Sequence, residues 1–144
     1  MRGDSRLSRM LHVLIHMDRH DGPVTSELIA RMLNTNPVVV RRAMAGLREQ
    51  GYVTSEKGHG GGWTLARPLE QITLRDVYDA LGQPTVFALG VTQDDPACLV
   101  EQAVNDAVSE ALREAEARLL RRLGEITVGA LAQEFERRRA ARAT

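Results

Sequence analysis

Residues 51–68 read Gly-Tyr-Val-Thr-Ser-Glu-Lys-Gly-His-Gly-Gly-Gly-Trp-Thr-Leu-Ala-Arg-Pro, and no other stretch restricts the fold as much. Two alternating runs, 52–56 and 63–66, flank a glycine-rich tip, which is the pattern of a β-hairpin. Directly before it lies a helix-forming segment over 37–50, opened by Pro37 and carrying Arg41, Arg42 and Arg48. Proline at a first helical position loses nothing, because that N–H has no intrahelical acceptor. A hairpin placed right behind such a helix is the wing of a winged helix-turn-helix, an arrangement that docks on duplex DNA. An ordinary surface hairpin has the same alternation, so the preceding elements decide between the two.

Those elements favour the wing. Asp4 is expected to cap a first helix reaching about residue 20, with Leu7, Met10, Leu11, Leu14 and Met17 on one face. His12, His16 and His20 recur four apart on the opposite face; without a cysteine or carboxylate cluster they read as a solvated stripe rather than a metal site. Thr25 or Ser26 caps a short second helix that buries Leu28, Ile29, Met32 and Leu33, and Asn34-Thr35 makes the turn. Asn36 then caps the third helix. Val40, Ala43, Met44 and Leu47 are expected to face inward there, leaving Val38, Arg41, Arg42, Ala45 and Glu49 on the outer face. Guanidiniums that fork onto guanine or phosphate, beside small apolar groups that meet a thymine methyl, are what a major-groove helix needs. Lys57, the only lysine, sits at the wing tip. The candidate DNA-binding set is therefore Thr25, Ser26, Asn36, Val38, Arg41, Arg42, Arg48, Lys57, His59, Gly60 and Gly61.

Beyond the wing, Thr73-Leu-Arg-Asp76 has the spacing of a capping box for a helix over 74–81. A connector over 83–97 follows, with an apolar patch at Val86, Phe87 and Leu89. The segment 98–123 keeps an apolar stripe (Val100, Val104, Ala107, Val108, Ala111, Ala115, Leu119, Leu123) for more turns than a small domain covers alone. The same helix of a second subunit is its natural partner, with packing against the first helix as the alternative. Thr127 is expected to cap a last helix, whose Arg137-Arg138-Arg139 end reads as a solvated, frayed tail. The fold expected is mainly α with a small β-hairpin wing: a winged helix-turn-helix over 1–82, a connector over 83–97, and dimerisation and C-terminal helices over 98–144.

Composition narrows the function. With 43% hydrophobic and 26% charged residues the chain is globular, and 3% aromatics leave no stacking platform for single-stranded nucleic acid. The net charge of zero conceals +4 over residues 1–67 and −4 over 68–144, a basic front fit for DNA and an acidic back. No apolar run approaches the roughly 20 residues of a membrane span, and no signal-peptide core is present, so a cytoplasmic location is expected. No paired carboxylates, nucleophile–base set or phosphate loop points to an enzyme. An interaction module that keeps the winged fold without binding an operator is the second reading.

The segments 36–42, 57–63 and 72–77, together with the 98 region and 126–131, resemble the Rrf-two family of bacterial transcription regulators. The resemblance implies a homodimeric repressor with the third helix in the major groove and the wing tip near the minor groove. It carries Arg41, Arg42 and Arg48 onto the DNA-contacting surface and Lys57, His59, Gly60 and Gly61 onto the wing. Cluster-binding members of the family hold a two-iron, two-sulfur centre with three cysteines, whereas this chain has Cys98 alone, so no cofactor is expected and the effector is open. At the start of the long helix Cys98 has two readings: a redox sensor, since helix N-terminal N–H groups favour a thiolate while Asp94 and Asp95 oppose it, or a small hydrophobe.

Overall fold

The computed structural model describes residues 3–58 and 61–143. Among these, the chain runs α1 (Arg6–Arg19), α2 (Ser26–Leu33), α3 (Pro37–Glu49), β1 (Val53–Glu56), β2 (Gly62–Leu65), α4 (Leu74–Ala80), α5 (Leu99–Glu125) and α6 (Val128–Arg142), with a 3₁₀ turn at Leu69–Gln71 before α4. The architecture is mainly helical with one antiparallel hairpin, in the order of a winged helix-turn-helix. Val53 pairs with Leu65 and Ser55 with Trp63 across the hairpin, and Thr54 and Thr64 join hydroxyls at 2.8 Å.

Side-chain caps define most helix starts, each satisfying an N–H that the helix leaves unpaired. Thr25 accepts from Leu28 N–H at 3.1 Å, Asn36 from Val38 N–H at 2.8 Å, and Thr127 from Ala130 N–H at 3.0 Å. The Thr73–Asp76 box closes both ways, at 3.0 and 2.9 Å. At α1 the cap position belongs to Ser5, one residue later than expected, yet its hydroxyl makes no cap bond. Asp4 still accepts from Arg6 N–H at 3.0 Å and clamps the Arg6 guanidinium, which together hold its carboxyl below the usual range.

One core fills the space between α1, α2, α3, α4 and the base of the wing. Leu14, Ile29, Val40, Met44, Leu47 and Val77 are fully buried there. The periodic positions divide between two depths: Met10, Leu14 and Met17 are buried, while Leu7, Leu11, Leu28, Met32, Leu33 and Ala43 are half-buried against them. Gly46 is the contact point of α3 and α4, where a Cβ would overlap the Ala80 carbonyl oxygen. His12 and His16 approach to 2.8 Å between Nε2 atoms, whereas His20 turns to the Gly22 carbonyl, so the three rings do not converge. Burial, followed by the charges of His12 and Arg19, lowers the His16 pKa.

The long helix departs from one expectation. α5 leans mainly on α4 rather than on α1, with Leu123 and Ile126 at the core margin. Its first turns leave the head entirely: Leu99 is 78% and Val100 73% exposed, and Val104 and Val108 continue the exposed row. The second departure is α6, grouped by sequence with the dimerisation segment. It returns to the head, packing on α1 and the 3₁₀ turn. Val128 is fully buried, Leu74 N–H donates to Ile126 O at 2.9 Å, and Val128 N–H donates to Ile72 O at 2.8 Å. Arg19 pairs with Glu136 and lies 4.9 Å over the Phe135 ring. Residues 137–139 are solvated as expected but helical rather than frayed, with Arg137 and Arg138 tied to Glu134 and Arg139 to Glu136. No helix among the described residues is long and apolar enough to cross a membrane.

Candidate nucleic-acid interface

Three pieces of backbone meet at the candidate surface: the start of α2, the outer side of α3 and the wing. The α2–α3 turn depends on Asn34, which takes a left-handed conformation (φ 52°) that asparagine tolerates better than most residues. Thr35 N–H then donates to Ala30 O at 2.9 Å, and Asn36 and Pro37 restart the helix. The outer side of α3 carries Val38, half exposed, with Arg41 and Arg42 also exposed. The two arginines diverge. Arg41 leans toward the start of α2, 3.6 Å from Glu27, whereas Arg42 borders a cleft formed with α1, α4 and Leu33 at the end of α2. An exposed ion pair such as Arg41–Glu27 is worth about 0–1 kcal/mol, so it is readily exchanged for a stronger anion.

The wing is anchored from three sides. Trp63 is buried, and its indole N–H donates to Ser26 Oγ at 2.9 Å. Val24 and Trp63 exchange backbone bonds at 2.9 and 2.8 Å, adding a one-residue third strand to the hairpin. Gly62 beside them has φ 150° and a Cβ there would lie 2.7 Å from Val24 O, so only glycine fits. Arg48 reaches across from α3, bonding Ser55 Oγ at 3.2 Å with its guanidinium 5.7 Å over the Trp63 ring. At the wing base, burial first and then Asp76 push the Tyr52 phenol up, which keeps it a neutral hydroxyl. Lys57 is exposed at the tip and Gly61 N–H closes the turn onto Gly58 O at 3.0 Å. His59 and Gly60 lie outside the described residues.

Most of the sequence-derived set therefore shares one side of the molecule, with two changes of role. Ser26 is withdrawn: it is 8% exposed and its hydroxyl holds Trp63, so it positions the wing instead of meeting solvent. Arg48 is committed to the wing, joining α3 to β1. Thr25 and Asn36 spend their side-chain oxygens on caps while remaining exposed. The Trp63–Ser26 bond went unread in the sequence because its partners are 37 residues apart; the lone tryptophan beside the glycine tip was the available signal. Replacing Trp63 by Phe is expected to destabilise the head by about 1–3 kcal/mol, since Ser26 Oγ loses its donor in a buried site. Urea unfolding of the two proteins checks this, and equal midpoints would deny the bond any structural weight.

Cys98 is half-buried in the cap position of α5, its N–H bonded to Asp95 O at 3.0 Å and its side chain making no cap bond. Among the described residues no three His, Cys, Asp or Glu side chains gather as they would around a metal ion.

Comparison with known proteins gives this geometry its setting. The profile of the Rrf2 family, described as an iron-dependent transcriptional regulator, matches residues 4–134. YwnA of Bacillus subtilis, named as an HTH-type transcriptional regulator, is 36% identical over 110 residues, which are 74% of this chain and 79% of YwnA. A Lactobacillus plantarum protein whose crystal structure is described as a transcriptional regulator shares the fold at a TM-score of 0.77 and 24% identity, covering 92% of this chain and 90% of that one. CymR, the global cysteine regulator of B. subtilis, aligns at a TM-score of 0.57 and 25% identity over 93% of this chain and 98% of its own. The iron in the family description calls for a donor set this chain lacks: a single cysteine, with no cluster of other ligands among the described residues, does not fit an iron–sulfur centre. Its relatives are regulators rather than enzymes. A winged head over the first half, a long helix behind it and a profile match through nearly the whole chain agree: the chain belongs to the Rrf2 family of transcriptional regulators.

Proposed function

We propose that the protein is a homodimeric, sequence-specific repressor that reads a roughly palindromic operator. The observation that carries this is the outer side of α3, where Val38, Arg41 and Arg42 stand clear of the core beside a braced wing ending in Lys57. The α3 arginines would meet base edges and flanking phosphates in the major groove, and Lys57 would meet the backbone near the minor groove. Gly61 would let the wing backbone approach the phosphates closely, and His59 and Gly60, outside the described residues, belong to the same sequence-derived tip. Thr25 and Asn36 stand at two helix N-termini, whose free N–H groups suit phosphate oxygens.

The dimer rests on the exposed apolar start of α5. Leu99, Val100, Val104 and Val108 form a row that the head does not cover, and a second copy related by a twofold axis would bury it. Two heads so joined would address half-sites about one helical turn apart, or a multiple of it. In this division of labour residues 1–82, braced by α6, bind DNA, 83–97 connect, and α5 dimerises. The connector patch supports the arrangement: Val86 and Phe87 are half-buried near Tyr78, whose hydroxyl donates to Pro84 O at 2.6 Å.

Titrating the protein against a labelled fragment of its own upstream region, with unrelated duplex as competitor, tests the reading. Lys57→Ala is expected to weaken all duplexes alike and to reduce the slope of log affinity against log salt by about 1, as one lost phosphate contact requires. Equal affinity for the upstream fragment and the competitor would count against operator recognition.

A further inference from the structure

We propose that the cleft between α1, α3 and α4 binds a small organic carboxylate with an apolar body, and that its occupation releases DNA by engaging Arg42. The proposal rests on the DNA-binding reading of α3 for its consequence, though not for the binding itself. The cleft holds about 340 Å³, within the range of small-molecule sites. Buried Met10 and Val40 and half-buried Leu81 give it an apolar floor, while Arg6, Arg9 and Arg42 stand around it. Asp4 already neutralises Arg6 through bonds of 2.7 to 3.1 Å. Among the described residues no carboxylate pairs with Arg9 or Arg42. Two uncompensated guanidiniums over an apolar floor fit a ligand that is anionic at one end and greasy at the other.

That combination separates a small acid from the DNA backbone. A phosphate diester is strongly hydrated and follows convex basic surface; it has no use for a hydrophobic recess. A carboxylate is met by arginine in a bidentate fork, and its apolar remainder gains by displacing water from the recess. The cleft also differs from an inert pocket in its wall. Val39, Val40, Arg42 and Ala43 all belong to α3, so a ligand seated there takes hold of the same helix that carries Arg41 outward. A carboxylate forked onto Arg42 neutralises that cation and holds its guanidinium in the cleft, away from the phosphates. Ligand and operator then compete for one side chain, and thermodynamic linkage requires each to weaken the other.

Calorimetry of the full chain with octanoate, 1-octanol and inorganic phosphate is the test, alongside operator binding with and without octanoate. Octanoate is expected to bind, with the alcohol and phosphate each at least about tenfold weaker, because each lacks one half of the recognition. Arg9→Gln, an exposed change at a residue outside the proposed DNA-contacting set, is expected to weaken octanoate by about tenfold or more, to keep the operator affinity, and to lose octanoate-induced release. Ala43→Leu, which narrows the cleft, is expected to weaken octanoate as well. Equal binding of octanol, or octanoate affinity untouched by Arg9→Gln, would overturn the site. Loss of duplex affinity in Arg9→Gln together with displacement of octanoate by phosphate would instead make these arginines backbone contacts. If the wild type binds octanoate but no duplex, the DNA reading of α3 fails while the cleft stands.

Discussion

Alanine at both Arg41 and Arg42 is expected to lower operator affinity by about 2–6 kcal/mol, from roughly 1–3 kcal/mol for each arginine that meets a base edge. Fold stability is expected to stay within about 0.5 kcal/mol, because both side chains are exposed and the one ion pair lost, Arg41–Glu27, is a surface pair at 3.6 Å. The contrast between a large binding loss and an unchanged melting transition identifies a reading face rather than a fold defect. Their divergence adds a sharper expectation. Arg41 leans toward α2 and Arg42 toward α1 and α4, so the two single variants should relax specificity at different base pairs of a half-site. Anisotropy titrations at fixed salt against a set of single-base operator variants separate the cases. A double variant that binds like wild type would place the reading face elsewhere.

Glutamate at both Val104 and Val108 is expected to convert the protein to a monomer at micromolar concentration. In the twofold dimer proposed here each substitution recurs on the partner helix, so four carboxylates would enter an apolar seam without counter-charges. An uncompensated buried charge costs about 3–5 kcal/mol, and even one such term shifts a dimer constant by roughly a hundredfold to several thousandfold. The head should remain folded, because Val104 is 52% and Val108 36% exposed in the single chain and neither joins its core. Operator affinity should fall with the dimer, since a monomer engages only one half-site. Sedimentation velocity of wild type and variant, with circular dichroism as the check on helix content, decides the matter. A wild-type monomer at these concentrations would remove the dimer from the account.

The parts of the fold legible in the chain share a physical origin: they are set within one or two turns of backbone. Thr25, Asn36, Thr73 and Thr127 each satisfy an N–H two or three residues on, and all four caps were visible as sequence signals. The same holds for the hairpin, whose alternating runs and intervening glycines mark β1 and β2 in the sequence. Boundaries drifted by a residue, as at Ser5, whose side chain makes no cap bond, and at Ala80, beyond which backbone N–H groups alone close the helix. The inward face of α3 was legible because a 3.6-residue period leaves one solution for Val40, Met44 and Leu47.

What the sequence by itself determined, then, is the order of elements, the turn between α2 and α3, the exposed arginines and the uncovered stripe on α5. Tertiary structure alone decided which polar groups stay free to meet a partner. Ser26 stood among the candidate DNA-binding residues and became the buried acceptor of Trp63, because a wing folding back over α2 brings together groups 37 positions apart. Arg41 and Arg42 looked equivalent but have different neighbours, Glu27 of α2 for Arg41 and a cleft lined with α1 and α4 for Arg42, because consecutive positions on a helix lie about 100° apart. α6, which by sequence only shared the 98–144 segment with the long helix, closed onto the head, because Ile72 and Leu74 offer backbone partners to Ile126 and Val128. Such choices depend on distances between elements that are remote in sequence, and no local periodicity encodes them.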